Sequence, residues 1–315
     1  MRRVITLLSA VAISTALFGC ANEALEEATI AVANYNAAAA TYNEAIAPYN
    51  EAVSNIETAA QTVSDAKKTA QDAINRGEEP FDEETLQVLK EAMLAADDAI
   101  AEKPKQLAPA PDMAIRDDLD KEKLEQLVEE ANRNAGQLDP SIIPAIPTIP
   151  DYSREIEGIE SALDAYENSI KSMQQVTAPS DDFVIDRLGR IDTITSIQAV
   201  TEDHDPNGQL NKQGGYIGCI YFRDSQVSPD DLFIEEGEDT VDIGTDGGGA
   251  IEVFKTADEA NARNDYLAAF DGMGMLASGS HYVVGTVLVR TSNELTGTQQ
   301  SKLTDNIIEA LTAVD

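Results

Sequence analysis

Tyr35-Asn36-Ala37-Ala38-Ala39-Ala40-Thr41-Tyr42-Asn43-Glu44-Ala45-Ile46-Ala47-Pro48-Tyr49-Asn50 repeats one dipeptide at intervals of seven residues. Extended in both directions, the same rhythm takes in Leu25, Ala28, Val32, Val53, Ile56, Ala60, Val63, Ala70 and Ile74, and only Lys67 interrupts it. Apolar residues at alternating steps of three and four specify a helix whose narrow seam must be buried against other helical elements. Over residues 25–74 such a helix is about 75 Å long at 1.5 Å per residue. Pro48 removes one backbone hydrogen bond, yet the rhythm continues through it, which predicts a kinked helix and not two separate ones. The seam alanines allow close approach of a neighbour, and the tyrosines call for a wet edge that takes their hydroxyls.

Beyond this helix, Gly77 and Pro80 form a stop, and Asp82 is a candidate N-cap for a second helix carrying Leu86, Leu89, Met93, Ala96 and Ile100. Pro104, Pro109 and Pro111 make 103–113 a loop, and a third helix follows Asp120 and ends at Gly136. Over 139–150, Pro144, Pro147 and Pro150 alternate with Ile143, Ile146 and Ile149 in the three-residue period of polyproline II. This reads as a stiff strap laid along the bundle with one isoleucine edge. Tyr152, Ile156, Ile159, Leu163, Tyr166, Ile170 and Met173 restore the heptad for a fourth helix. These seams read as faces of a monomeric intramolecular bundle before they read as a coiled-coil dimer interface.

At the other end, Arg2 and Arg3 precede an apolar run from Val4 to Phe18, and Gly19 stands before Cys20. The run is shorter than the roughly 18 to 20 residues of a membrane-spanning helix and reads as a secretory signal. Leu17-Phe18-Gly19-Cys20 resembles the lipobox of bacterial lipoproteins. That resemblance implies cleavage before Cys20, fatty acylation (palmitate-type) of its thiol, and an extracytoplasmic protein whose membrane partner is engaged through the lipid. Without residues 1–20 the chain has 20 basic against 57 acidic residues, a net charge of −37. Such a balance excludes nucleic acid, whose binding relies on Lys and Arg at phosphates, and excludes electrostatic docking on anionic lipid. With Cys20 acylated, Cys219 is the one remaining thiol, so stability must come from packed cores.

From Pro179 the texture changes to short β-type runs punctuated by turns. Strands are expected at 194–201, 216–222, 250–254, 275–277 and 282–290. Ser180, Thr256 with Glu259, and Thr296 with Gln299 are caps for intervening helices. The domains expected are therefore a signal at 1–20, a helical bundle or coiled-coil stalk at 21–178, and an α+β head at 179–315 with a mixed or antiparallel sheet and helices on one face.

Candidate chemistry in the head is sparse. Asp203, Asp205, Asn207 and Gly208 match the first half of a calcium loop, with oxygen ligands at alternate positions and glycine at the sharp turn, but position twelve is Gly214. The same residues form a tight turn in their own right, which is the preferred reading, with Ca²⁺ the alternative. Gly244-Thr245-Asp246-Gly247-Gly248-Gly249 opens onto a strand, not a helix, so it lacks the helix N-terminus that a phosphate loop needs. Ser280-His281 has no recognisable acid partner for nucleophilic catalysis. Cys219 lies in a run apolar on both faces and reads as buried.

Asp205-Pro206-Asn207-Gly208-Gln209-Leu210, Gly214-Gly215-Tyr216, Gly244–Gly249 and Ala277-Ser278-Gly279-Ser280-His281 together resemble an uncharacterised C-terminal module of predicted surface lipoproteins of Gram-positive gut bacteria. The resemblance covers roughly 195–314. It implies a surface location and a domain boundary and assigns no activity or ligand. The expectation is a non-catalytic lipoprotein that presents a binding head to an extracytoplasmic ligand or protein. The alternatives are a scaffold or adaptor of an envelope assembly docking through the helical seam and, more weakly, a hydrolase.

Overall fold

The computed structural model describes residues 21–100, 102–232, 234, 238–271 and 279–315. Cys20 and the expected strand at 275–277 lie outside the described residues. The elements are α1 (Ala21–Asn75), α2 (Glu84–Ala99), α3 (Lys121–Ala135), α4 (Ser153–Gln175), α5 (Asp181–Leu188), β1 (Ile194–Ala199), β2 (Gly218–Asp224), α6 (Thr240–Ile243), β3 (Gly248–Val253), α7 (Ala257–Ala268), β4 (Ser280–Val284), β5 (Val287–Thr291) and α8 (Gly297–Thr312). A long N-terminal helix and a C-terminal antiparallel sheet with helices thus define two different halves. The chain divides into two compact units: α1 up to Ser64 with Ala99–Ser153, and Asp65–Asp98 with Arg154–Asp315.

The helix α1 continues unbroken through Pro48, which sits on its exposed side, where water can satisfy the carbonyl that loses its partner. Ala28, Val32, Tyr35, Ala39, Ile46, Tyr49, Val53, Ile56, Ala60, Val63 and Ala70 of the seam are buried.

In the first unit, what lies on the Tyr-Asn repeat is the stretch expected as a mere loop. Asn36 donates its Nδ2–H to the Met113 carbonyl at 2.9 Å and accepts the Met113 N–H on Oδ1 at 2.8 Å. Asn43 does the same to Ala110 at 2.8 and 2.7 Å, and Asn50 to Leu107 at 2.8 and 2.8 Å. Tyr35 adds a hydroxyl bond to the Pro111 carbonyl at 2.8 Å. The match is one of two periods. Seven helical residues advance about 10.5 Å, and three polyproline II residues advance about 9.3 Å in the opposite chain direction. The gripped residues must keep an N–H, and the prolines fall between them at 109 and 111. One heptad further along, Glu57 would face Pro104, which has no N–H, so the ladder ends there. Behind the strap, α3 buries Leu124 and Ala131, with Leu127 and Val128 partly buried, in clusters with Ala24, Ala28, Ala31, Val32, Tyr35 and Ala39. Asp120 caps α3 through the Lys123 N–H, as its sequence predicts.

The second proline segment departs from expectation. Two of its three edge isoleucines turn outward, Ile146 and Ile149 exposed by 61 and 46%, while Ile143 is partly buried. A 3₁₀ turn over Pro140–Ile142, capped by Asp139, sets the phase of the residues that follow.

In the second unit, α4 buries Ile159, Ala162, Tyr166, Ser169 and Ile170, while Leu163 is only half-buried. Ile159 and Tyr166 keep the expected seven-residue spacing, and Ala162 and Ser169, also seven apart, widen the buried face to the side away from Leu163. Ser169 holds the chain before α2, accepting the Asp82 N–H on its hydroxyl and the Phe81 N–H on its carbonyl. The sheet is antiparallel throughout, in the order β1-β2-β3-β5-β4.

Two further expectations are corrected here. Residues 282–290 are not one strand: Gly285, at φ +57°, and Thr286 turn the chain between β4 and β5. A Cβ on Gly285 would also stand 2.4 Å from the Val176 carbonyl oxygen, which accepts the Thr286 N–H. Helices cover both faces of the sheet and not one. Ile220, Phe222, Ile251, Val253, Val287 and Val289 pack with Val184 and Leu188 of α5 and Leu303, Ile307 and Leu311 of α8. Cys219, Tyr221, Ala250 and Leu288 pack with Val241 of α6 and Ala260 and Leu267 of α7. The central strands are apolar on both sides, so each face needs a cover.

Candidate functional site

The loop between β1 and β2 is built around Asp205. Its carboxylate accepts the Asn207 N–H at 3.0 Å, the Leu210 N–H at 2.7 Å and the Tyr216 hydroxyl at 2.5 Å. Burial opposes ionisation of this carboxyl, but these donors outweigh it and hold the pKa below the usual range. Asn207 donates Nδ2–H to the Tyr221 hydroxyl at 3.0 Å, and Gly208 adopts φ +61° at the turn. Burial pushes both tyrosine hydroxyls upward. Of the three candidate calcium ligands, Asp203 is exposed, Asp205 has both oxygens engaged within the loop, and Asn207 presents its nitrogen to Tyr221.

Beside this loop stands a cluster that no local motif reveals. His204 Nε2 lies 2.8 Å from Asp242, and its Nδ1 lies 3.7 Å from Asp239. Asp239 and Asp242 form a reciprocal capping box around the start of α6. This box is written with aspartates where the familiar pattern has Ser or Thr and Glu, and so it goes unread in the sequence. One nitrogen of His204 and one oxygen of each aspartate lie within 4.8 Å of one another, a donor set that suits a divalent transition metal. The carboxylates are already committed: Asp239 accepts from Gln198 and the Val241 and Asp242 N–H groups, and Asp242 from the Asp239 N–H. Hydrogen bonding to Asp242 and the two negative charges raise the His204 pKa, and the protonated ring is the form that pins the loop to the start of α6.

Under α7, Glu252 is fully buried and bridges two arginines, Arg263 at 2.9 Å and Arg290 at 2.7 Å. Cys219 pairs with Glu252 across β2 and β3. Burial, with the Glu252 charge, pushes the Cys219 thiol well up, as its expected role as a small buried hydrophobe requires. His281 takes Asn264 at 2.7 Å and Asp271 at 3.3 Å as partners for its two nitrogens. The Thr256–Glu259 box forms only in part: Thr256 accepts the Glu259 N–H, while Glu259 Oε2 is buried without a hydrogen bond. The glycine run forms a 3₁₀ turn over Gly244–Gly247 and then enters β3. Gly249 is required for close approach, since a Cβ there would lie 2.2 Å from the Arg290 carbonyl oxygen.

One concavity of the head has no counterpart in the expectations from sequence. It is a cleft of about 510 Å³ flanked by α5 and α8, lined in part by Arg187, Arg190, Lys302, Thr193, Gln226 and Asn306. Asp192 and Glu309 also border it. Arg187 is buried (4% exposed) with its guanidinium 4.9 Å over the Phe183 ring, and its Nε has no hydrogen bond. The signal available in the sequence is Arg187 and Arg190 three residues apart in an otherwise acidic head.

Among the described residues no helix is long and apolar enough to cross a membrane. No protein-family model, curated protein or solved structure matches the chain.

Proposed function

We propose that the protein is a bacterial lipoprotein, acylated at Cys20 and displayed on the outer side of the cell membrane. In this reading its heptad-patterned helices form a bundle stalk, and its α+β head is a non-catalytic binding module. The observation that carries the proposal is Leu17-Phe18-Gly19-Cys20 placed directly before α1, after a basic start and an apolar run too short to span a bilayer. The strong negative charge fits an exposed, solvated surface with no role at nucleic acid. Support for a binding head comes from the cleft beside Arg187, where basic side chains converge in an acidic chain. Docking of a partner through the α1 seam is the weaker reading, because the seam residues from Ala28 to Ala70 are buried within the chain and its Tyr-Asn face is occupied by Leu107–Met113.

Cys20→Ala tests the anchor. The thioether forms on that thiol alone, and acyl burial supplies about 0.8 kcal/mol per CH₂. Metabolic labelling with a fatty-acid reporter should mark the unaltered protein and leave the variant unmarked and released from membranes. Label retained on the variant would remove the basis for the proposal.

A further inference from the structure

The Asp315 carboxylate lies across two guanidiniums. Arg187 reaches its two oxygens from Nη1 at 3.2 Å and Nη2 at 3.1 Å, and Arg190 from Nη1 at 3.0 Å and Nη2 at 3.2 Å. A paired fork of this kind is the geometry by which arginine recognises carboxylates and phosphates. The two sides of the contact differ in burial. The Asp315 side chain is 62% exposed, whereas that of Arg187 is 4% exposed. Arg187 still carries one unused donor, since its buried Nε has no hydrogen-bond partner. Lys302, exposed on α8, supplies a further positive charge on the same cleft. Asp186 pairs with Arg190 at 2.7 Å but leaves Arg187 untouched.

We infer that the cleft between α5 and α8 is a binding site for small molecules bearing a carboxylate or phosphate group, and that Asp315 occupies its arginine pair in cis. An incoming oxyanion takes the place of the Asp315 carboxylate on the Nη groups of Arg187 and Arg190. The body of the ligand lies against Thr193, Gln226 and Asn306. Asp192 and Glu309 at the border repel a second anionic group placed near them and favour a ligand that is neutral or cationic away from its anionic end. Asp315 acts as a tethered competitor. If it leaves the arginines open about a tenth of the time, it weakens capture about tenfold.

The inference deepens the proposal of a binding head and takes its biological meaning from it. Its test needs no lipid anchor, so the two readings fail separately. The purified protein is titrated with succinate and, separately, with inorganic phosphate, at ionic strength held constant with sodium chloride because exposed charges are screened. The arginine Nε–Hε resonances are followed by NMR. Asp315→Ala should show a saturable shift of the Arg187 resonance at about tenfold lower probe concentration than the unaltered protein. Adding Arg190→Ala and Lys302→Ala, both at exposed positions, should abolish it. A response to phosphate alone assigns the site to phosphate-bearing ligands, one to succinate alone assigns it to carboxylates, and a response to both assigns it to oxyanions in general. Asp315→Asn repeats the measurement with the shape of the side chain kept. The inference is overturned if neither Asp315 variant shows a saturable shift with either probe, or if sodium chloride alone reproduces it.

Discussion

Asn43 is the middle rung of the ladder on α1, and Asn43→Ala removes both of its bonds to Ala110 at once. Each hydrogen bond contributes a net 0.5–1.5 kcal/mol or so, which puts the rung at about 1–3 kcal/mol. Alanine is the better helix former by up to about 0.7 kcal/mol, so global stability should fall by less than the rung alone is worth. Asn34, exposed on the same helix and outside the ladder, provides the control: Asn34→Ala changes helix propensity without touching the strap. The local readout is amide exchange at Ala110, whose N–H is held by Asn43 Oδ1 at 2.7 Å. Loss of about 1–3 kcal/mol of local protection should speed its exchange by about 5- to 150-fold. Asn43→Asp should be worse than alanine, because it leaves the Ala110 carbonyl without its donor and points a charged oxygen at it. If Asn43→Ala leaves the Ala110 amide exchanging at its original rate, the side chain does not hold the strap and the ladder is not a determinant of the fold.

Ile159→Asp, at a fully buried position of α4, should destabilise the protein by several kcal/mol, because the carboxylate has no partner there; a thermal melt unchanged within error would remove Ile159 from the core. Glu252→Gln should cost about 3–5 kcal/mol in denaturant unfolding, since it leaves Arg290 as an uncompensated buried charge, whereas replacing Glu252, Arg263 and Arg290 together by apolar residues should cost far less. His204 has its pKa raised in the folded state by Asp242 and Asp239, so the stability it contributes is fully present below its unfolded pKa of about 6.5 and is lost as pH rises through the higher folded value. His204→Asn should flatten stability over that window; an unchanged pH profile would show that the pin carries no linkage.

Much of this chain is legible because it is written locally. The period of α1, the caps at Asp120, Ser180 and Thr296, and the stop at Gly189 each lie within a few residues of what they control. The β4–β5 hairpin was hidden because apolar residues continue on both sides of Gly285-Thr286, so only the glycine marks the turn. Glu252 could have been suspected as a lone carboxylate in an apolar strand, yet nothing near it in sequence names its partner Arg290 on β5. The cleft was harder still, since Arg187 and Lys302 come to line one hollow, and Asp315 to reach Arg187, only after α5 and α8 have covered one face of the sheet.

The asparagine ladder shows why such pairings escape a reading based on hydrophobicity. Tyr35, Tyr42 and Tyr49 mark the heptad, but Asn36, Asn43 and Asn50 are the residues that specify what lies on it. They do so through backbone groups, so the strap can have almost any side chain at 107, 110 and 113 provided that none is proline. The information is therefore carried by the positions from which proline is absent: Leu107, Ala110 and Met113 fall in a three-residue period around Pro109 and Pro111, and Pro104 breaks it. Two periods, seven on the helix and three on the strap, have to be compared before either becomes a contact. The same comparison rules out one register of the isoleucine-rich segment at 143–150. Pro144, Pro147 and Pro150 recur at the same three-residue interval as the prolines' own period, so any ladder register that falls on them meets residues with no N–H to donate.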